Sequence, residues 1–166
     1  ATPIALVLPT GAAAEGTDEM KKLIPDVPCI EGKEAFLQSE EFLRSLKPEY
    51  LLSVHFPLII PKNIIELASI GTLNLHPAYL PFNRGWHTPS WAILEDTPYG
   101  ATFHWIDDGV DTGPIAFQKQ IEVLPTDTAH SLYQRALAAE VEVFKEALPD
   151  LIGRTLPKIP QQGVGT

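Results

Sequence analysis

The chain has 166 residues, of which 45% are hydrophobic and 20% are charged, and its formal net charge is −9. This length predicts one domain over residues 1–166, and no apolar run approaches the about 20 residues of a membrane-spanning helix. The acidic balance disfavours a long nucleic acid partner, because proteins that grip phosphate backbones display basic surfaces. The single cysteine, Cys29, excludes an intramolecular disulfide. We therefore expect a cytoplasmic protein with neither a nucleic acid nor a membrane as partner.

The first half of the chain alternates between short apolar runs and helical segments. The apolar run at residues 50–56 is typical of a central strand in a parallel sheet, because such strands are covered on both faces. Ser39 is a good helix N-cap, and Lys47-Pro48 ends the helix that it opens. The predicted elements are, in chain order, a strand at 3–9, a small-residue loop at 11–17, a helix at 18–24, a strand at 27–30, a helix from Ser39 to residue 46, a strand at 50–56, a helix at 62–68 and a strand at 71–76.

The second half predicts two adjacent strands and a long helix. Its elements are a helix at 88–95, strands at 100–106 and 114–123 around an acidic loop, a helix at 128–153 and an extended tail at 155–166. Helical spacing predicts that one face of the long helix is core, namely Tyr133, Leu137, Val141, Phe144, Leu148 and Leu151. The whole order predicts an α/β, Rossmann-like fold with a mostly parallel twisted sheet, helices on both faces and an antiparallel addition.

The sequence Asn74-Leu75-His76-Pro77 places two polar side chains at the end of a predicted strand. Asn74 and His76 are two residues apart, so their side chains point to the same side of the sheet. Pro77 cannot continue the ladder, so both lie at the carboxyl end, where open α/β sheets bind ligands. A structural polar pair explains the tetrapeptide equally well. We expect no metal, because Asn is a poor ligand and no second His or Cys stands at a useful spacing.

Residues 107–113 form an acidic loop between two predicted strands. Asp107, Asp108 and Asp111 repel one another unless they face water or one of them meets a cationic partner. The first two fit a solvated turn, whereas Asp111 precedes a Thr-Gly-Pro sequence whose glycine allows close backbone approach. We therefore predict that Asp111 points inward. With the Asn-x-His pair it would supply a donor for a carbonyl oxygen, a base and a carboxylate to orient the base.

Several short motifs between residues 74 and 118 form one combination. They are Asn74-Leu75-His76-Pro77 with Leu80-Pro81, Arg84-Gly85 and Pro89, Trp91-Ala92-Ile93, Gly100-Ala101-Thr102 with His104, and Asp111-Thr112-Gly113-Pro114-Ile115 with Gln118. In this combination the chain resembles the formyltransferase family, which includes methionyl-tRNA, glycinamide ribonucleotide and amino-sugar formyltransferases. Weaker similarity upstream and downstream extends the resemblance over most of the chain.

The resemblance implies a formyltransferase fold with a catalytic trio of Asn74, His76 and Asp111. It also implies 10-formyltetrahydrofolate as the formyl donor and a small-molecule amine as the acceptor. In that chemistry Asn74 donates an N–H to the oxygen of a tetrahedral intermediate, and protonated His76 adds a second donor. Asp111 orients His76 and shuttles a proton. One such donor is worth about 2.7–4 kcal/mol in the transition state.

The resemblance further implies which loops bind the two substrates. The pterin ring would bind backbone groups at Phe56, Leu58, Ile59, Ile60, Ile106, Asp107, Asp108, Gly109 and Val110. The acceptor would contact Asn83, Arg84, Gly85 and Trp86. An arginine in such a loop can bind a phosphate, and a tryptophan can stack on a ring.

The other histidines and the cysteine have weaker functional readings. His104 is as consistent with support of the reaction centre as with a buried core histidine, and His87 is as consistent with an acceptor contact as with an exposed loop. We expect His55 to be structural, His130 to lie on the surface and Cys29 to be inert.

The chain also departs from the family pattern. Relatives usually begin with one more strand and helix, so we expect a shortened N-terminal region, and we expect none of the C-terminal domain of the tRNA enzymes. Residues 83–91 and the ending Gln161/Gln162…Gly165-Thr166 resemble amino-sugar enzymes. The leading hypothesis is therefore formyl transfer to a nucleotide-linked amino sugar. Another small amine, hydrolysis of formyltetrahydrofolate, a non-catalytic folate- or partner-binding domain and a homodimer stay open.

Overall fold

A computed structural model describes residues 4–163 and 165, so Pro3 of the first predicted strand and Val164 and Thr166 of the predicted tail lie outside the described residues. The strands are β1 (Ile4–Leu8), β2 (Cys29–Glu31), β3 (Tyr50–Val54), β4 (Gly71–His76), β5 (Tyr99–Trp105) and β6 (Ile115–Ile121). The helices are a 3-10 helix (Gly11–Ala14), α1 (Thr17–Leu23), α2 (Lys33–Leu37), α3 (Glu40–Leu46), α4 (Lys62–Ile65), α5 (Thr88–Glu95) and α6 (Ala129–Gly153).

The predicted α/β class with a mostly parallel sheet is confirmed. Over the described residues the six strands form one sheet in the order β2-β1-β3-β4-β5-β6. The chain divides into two compact units, residues 1–74 and 75–166, and the boundary falls inside β4. The single domain expected over residues 1–166 stays a prediction.

In the first unit, β1 is flanked by parallel strands on both sides. Its residue Leu6 is in register with Cys29 of β2 and with Leu52 of β3. Every residue of β1 and of β3 is buried, which explains why both strands read as continuous apolar runs. β3 ends at Val54, two residues before its predicted end.

The helices of the first unit depart most from the sequence predictions. The expected loop at residues 11–17 contains the 3-10 helix and the first residue of α1, and α2 was not predicted. The hydroxyl of Ser39 donates to Phe36 O at 2.7 Å instead of capping α3. The helix predicted at residues 62–68 ends at Ile65, because Leu67 and Ala68 donate to oxygens three residues back and so form tighter turns.

In the second unit, β5 and β6 form the predicted antiparallel pair. Their register shifts between Phe103 and His104, which is a bulge-type irregularity of the kind that re-aims side chains beside active sites. β4 and α5 have their predicted boundaries.

Helix α6 packs against β5 and β6, and its buried face is turned by about one residue from the prediction. Phe144, Leu137 and Leu151 are buried as expected, but Tyr133, Val141 and Leu148 are only half-buried. The other buried residues of this helix were not in the predicted core set, and three of them are alanines. They are Leu132, Ala136, Ala139, Glu140, Val143 and Ala147. The helix opens with a capping box, in which Thr128 and Ser131 satisfy each other's backbone N–H groups.

The segment after α6 is extended, as predicted, and it is fixed to the second unit. Ile159 forms an antiparallel bridge with Ile115, and the Trp105 indole N–H donates to Pro157 O at 2.8 Å. Among the described residues, no helix combines the length and apolar character needed to cross a membrane.

Candidate active site

The end of β4 carries two of the predicted catalytic residues. Asn74 is half-buried and His76 is 6% exposed, and Pro77 follows directly. Because successive strand residues alternate between faces, the spacing of two gives both side chains the same side of the strand.

His76 is held by a backbone carbonyl and faces a carboxylate. Its Nε2 lies 3.1 Å from Asn83 O and 3.6 Å from Asp111 Oδ2. Both of these oxygens are acceptors, so Nε2 carries a proton. Burial lowers the pKa of His76, and the charge of Asp111 only partly opposes this effect. The ring is therefore neutral at neutral pH in the free protein, and the protonated His76 expected during the reaction stays a prediction.

Asp111 points inward, as the sequence predicted. One carboxylate oxygen accepts the Gly85 N–H at 2.8 Å, and the other lies 3.4 Å from His104 Nε2. Burial alone raises the pKa of Asp111. The hydrogen bond from His104, the electrostatic influence of the two nearby histidines and the Gly85 N–H outweigh burial and hold the pKa below its usual range. Asp111 is therefore an ionised carboxylate in a largely water-excluded place.

His104 supports Asp111 from the bulge in β5. Its side chain is 1% exposed, and its Nδ1 lies 2.9 Å from Trp105 O. That carbonyl and the Asp111 carboxylate are both hydrogen-bond acceptors, and each of them faces one nitrogen of the His104 ring. Of the two readings left open by the sequence, the structure supports contact with the reaction centre.

The loop from Asn83 to Trp86 divides into supporting and outward-facing residues. The Asn83 side chain is buried and donates to Thr97 Oγ1 at 3.0 Å and to Pro98 O at 3.3 Å. Its φ is +58°, a left-handed conformation that asparagine adopts more readily than most residues. Asn83 therefore holds the loop and His76, and its expected contact with the acceptor stays a prediction.

The other three loop residues keep a geometry compatible with acceptor binding. Trp86 is 67% exposed. Arg84 Nη2 donates to Gln161 Oε1 at 2.7 Å, and the Gly85 N–H donates to the Asp111 carboxylate. The sequence did not predict the hydrogen bond between Arg84 and Gln161. The two residues are 77 positions apart, and no motif in residues 155–166 indicates the contact.

The predicted pterin-binding segments lie in different units, and each is described by itself. In the first segment Ile60 is buried, Phe56 and Leu58 are half-buried, and Ile59 is exposed. The second segment runs from half-buried Ile106 through exposed Asp107, Asp108, Gly109 and Val110. Asp107 Oδ1 accepts from Gly109 N–H at 3.1 Å and from the Thr112 hydroxyl at 2.6 Å. This second segment is therefore a turn closed by its own hydrogen bonds, with both acidic and apolar side chains exposed.

The remaining candidates contribute less. His87 and His130 are exposed, His55 is half-buried, and Cys29 is an exposed free thiol. Within residues 4–163 and 165, no group of three or more His, Cys, Asp or Glu side chains is arranged to hold a metal ion.

Comparison with known proteins decides the family. A family model described as formyl transferase matches residues 12–148. The chain belongs to this formyl transferase family. The family resemblance drawn from the motifs between residues 74 and 118 is thereby confirmed.

The relatives of this chain are named for different acceptors. GDP-perosamine N-formyltransferase of Brucella melitensis is 36% identical over 118 residues, which are 69% of this chain and 46% of that protein. Methionyl-tRNA formyltransferase of Myxococcus xanthus is 35% identical over 126 residues, or 75% of this chain and 40% of that protein. The chain thus spans about half or less of the length of these curated relatives.

A solved structure supports the fold over nearly the whole chain. The formyltransferase PseJ of Anoxybacillus kamchatkensis, in complex with UDP-4,6-dideoxy-4-formamido-L-AltNAc and tetrahydrofolate, superposes with a TM-score of 0.76 at 28% identity. The match covers 98% of this chain and 83% of PseJ.

Proposed function

We propose that the chain is the catalytic part of an N-formyltransferase that moves a formyl group from 10-formyltetrahydrofolate to the amine of a nucleotide-linked amino sugar. The observation that carries the proposal is the Asp111 carboxylate, which is fixed by the Gly85 N–H and faces two histidines. Family membership supports formyl transfer as the reaction class, and the site supplies groups for each proton movement.

The proposed reaction begins with attack of the neutral amine on the formyl carbon. A bond forms between the amine nitrogen and that carbon, and the negative charge of the tetrahedral intermediate develops on the formyl oxygen. Asn74 donates an amide N–H to this oxygen, and His76 adds a second N–H donor when its ring is protonated. Preorganised donors of this kind stabilise a developing oxyanion more than the ground state.

Collapse of the intermediate then requires a proton transfer. Asp111 accepts the proton that the amine nitrogen loses and returns it to the folate nitrogen, from which the formyl carbon departs. The products are the formamide and tetrahydrofolate, so atoms and charge balance without a further reactant. The depressed pKa of Asp111 keeps the carboxylate ionised before the amine binds.

The amino-sugar acceptor is supported by Arg84 and Trp86 and by the relatives. Among the described residues Arg84 forms no ion pair, and its buried Nε lacks a hydrogen-bond partner. A cation in this state is suited to a phosphate, since a guanidinium binds phosphate oxygens through paired N–H donors. The exposed Trp86 indole can stack on a flat ring. GDP-perosamine is an amino-sugar nucleotide of this kind, and the PseJ complex holds a UDP-linked sugar that carries a formamido group.

The test measures release of tetrahydrofolate from 10-formyltetrahydrofolate with and without added amines. We expect release only when an amino-sugar nucleotide is present, and we expect the matching phosphate-free amino sugar to be a much poorer substrate. Release without any amine would identify a hydrolase. Folate binding without turnover for any amine of the panel would identify a binding domain, and either result would overturn the proposal.

A further inference from the structure

Gln161 joins two parts of the candidate site that are far apart in sequence. Its Oε1 accepts from Arg84 Nη2 at 2.7 Å, and its Nε2 donates to Asp111 O and Gly113 O, both at 2.8 Å. We propose that Gln161 is a positioning residue that holds the acceptor-side arginine and the backbone of Asp111 in one arrangement. This inference rests on the proposed function.

The chemistry of the carboxamide fits this position in one orientation only. A guanidinium can only donate, and the two backbone oxygens can only accept. The oxygen of the amide must therefore face Arg84, and its NH₂ group must face Asp111 and Gly113. A carboxylate of the same shape would satisfy Arg84 but would place an oxygen against two carbonyl oxygens.

The backbone that Gln161 holds is conformationally demanding. Asp111 has a φ of +52°, which is unfavourable for a non-glycine residue and costs on the order of 1 kcal/mol. At Gly113 an added Cβ would lie 1.8 Å from Trp105 O, so the chain passes too close to β5 for any side chain. The Gln161 side chain donates one hydrogen bond on each side of Thr112. These two bonds therefore stabilise a turn whose backbone conformation is intrinsically unfavourable.

Gln161 is itself carried on a fixed segment. Ile159, two residues before it, pairs with Ile115 at the start of β6, and Pro157 O accepts from the Trp105 indole. The segment thus leaves the sheet beside the acidic loop and presents Gln161 to it. The carboxamide thus links the Arg84 guanidinium to the backbone of Asp111 through hydrogen bonds, while the Asp111 side chain faces the two histidines.

The kinetic test compares Gln161→Ala and Gln161→Glu with the exposed neighbour Gln162→Ala. We expect Gln161→Ala to lower kcat for the amino-sugar nucleotide about tenfold to a hundredfold, because small displacements of reacting groups have effects of this size. Gln161→Glu should be at least as slow, and Gln162→Ala should match the wild type. A rise in KM with unchanged kcat would overturn the inference, since it would leave Asp111 unaffected.

A double-variant cycle tests whether Gln161 and Arg84 act together. The loss in kcat/KM of Arg84→Ala with Gln161→Ala should be smaller than the product of the two single losses, because each change breaks the same bond. Independent, multiplicative losses would contradict the coupling.

A second measurement does not depend on which amine is the substrate. The ¹⁵N backbone order parameters of residues 109–113 should fall in Gln161→Ala and stay at wild-type values in Gln162→Ala. If the wild type formylates no amine, the proposed function fails while this result still decides the role of Gln161. Unchanged order parameters in Gln161→Ala would overturn that role.

Discussion

The two halves of the loop between β5 and β6 carry the same residue type in opposite surroundings. Asp107 is exposed and accepts from Gly109 and Thr112 of its own turn. Asp111 is turned inward and accepts from Gly85, 26 positions away, beside two histidines. The difference teaches that donors distant in sequence fix the Asp111 carboxylate and hold its pKa low, whereas the hydrogen bonds of Asp107 stay within its own turn.

The largest expected effect separates these two carboxylates directly. Asp111→Asn removes the proton acceptor while keeping the side-chain shape, and we expect turnover to fall by about 10²–10⁴-fold. Asp107→Asn keeps the oxygen that accepts the two turn hydrogen bonds, so turnover should change less than tenfold. Steady-state rates for both variants, with circular dichroism spectra as a check of folding, decide between them. Equal losses would show that the inward position of Asp111 has no special role.

A smaller effect is expected when one donor to Asp111 is removed. His104→Phe keeps an aromatic ring in the buried site but leaves the Asp111 carboxylate without that N–H. Hydrogen bonds to charged groups are worth about 1.5–3 kcal/mol, which corresponds to roughly a tenfold to 150-fold loss of kcat. Rates of His104→Phe that match the wild type would mean that the Gly85 N–H alone fixes Asp111.

The smallest effect concerns the free energy of unfolding and distinguishes buried His76 from the exposed histidines. Burial gives His76 a folded pKa below its unfolded value of about 6.5, so its contribution to stability is present above that pH and is lost as the pH falls below it. The slope reaches at most about 1.4 kcal/mol per pH unit for one proton.

Urea unfolding between pH 5 and pH 8 measures this slope. His76→Gln should flatten it, while replacement of exposed His130 by Gln should leave it unchanged. A wild-type stability that rises on acidification through this range would contradict the buried neutral state of His76.

Much of the site was predictable because its signals are local. Pro77 marks the end of β4, so Asn74 and His76 fell at the carboxyl end of a strand, and the Thr-Gly-Pro sequence indicated that Asp111 points inward. The start of α6 was likewise predicted to within one residue.

Other features depend on contacts that no local pattern records. The buried face of α6, which packs against β5 and β6, includes the small residue Ala136 and the polar residue Glu140, whereas the sequence prediction chose only large apolar side chains. The bulge at His104 and the reach of Gln161 to Asp111 arise from strand pairing and from the path of the segment after α6.

The most direct test of the central claim follows the formyl carbon itself. The protein is incubated with 10-formyltetrahydrofolate carrying a ¹³C-formyl group and an amino-sugar nucleotide, and the products are identified by mass spectrometry and ¹³C NMR. The account predicts a ¹³C-formamide on the sugar in equal amount to tetrahydrofolate, formed by the wild type and nearly abolished in Asp111→Asn. Labelled formate with no formamide, or undiminished formamide from Asp111→Asn, would contradict it.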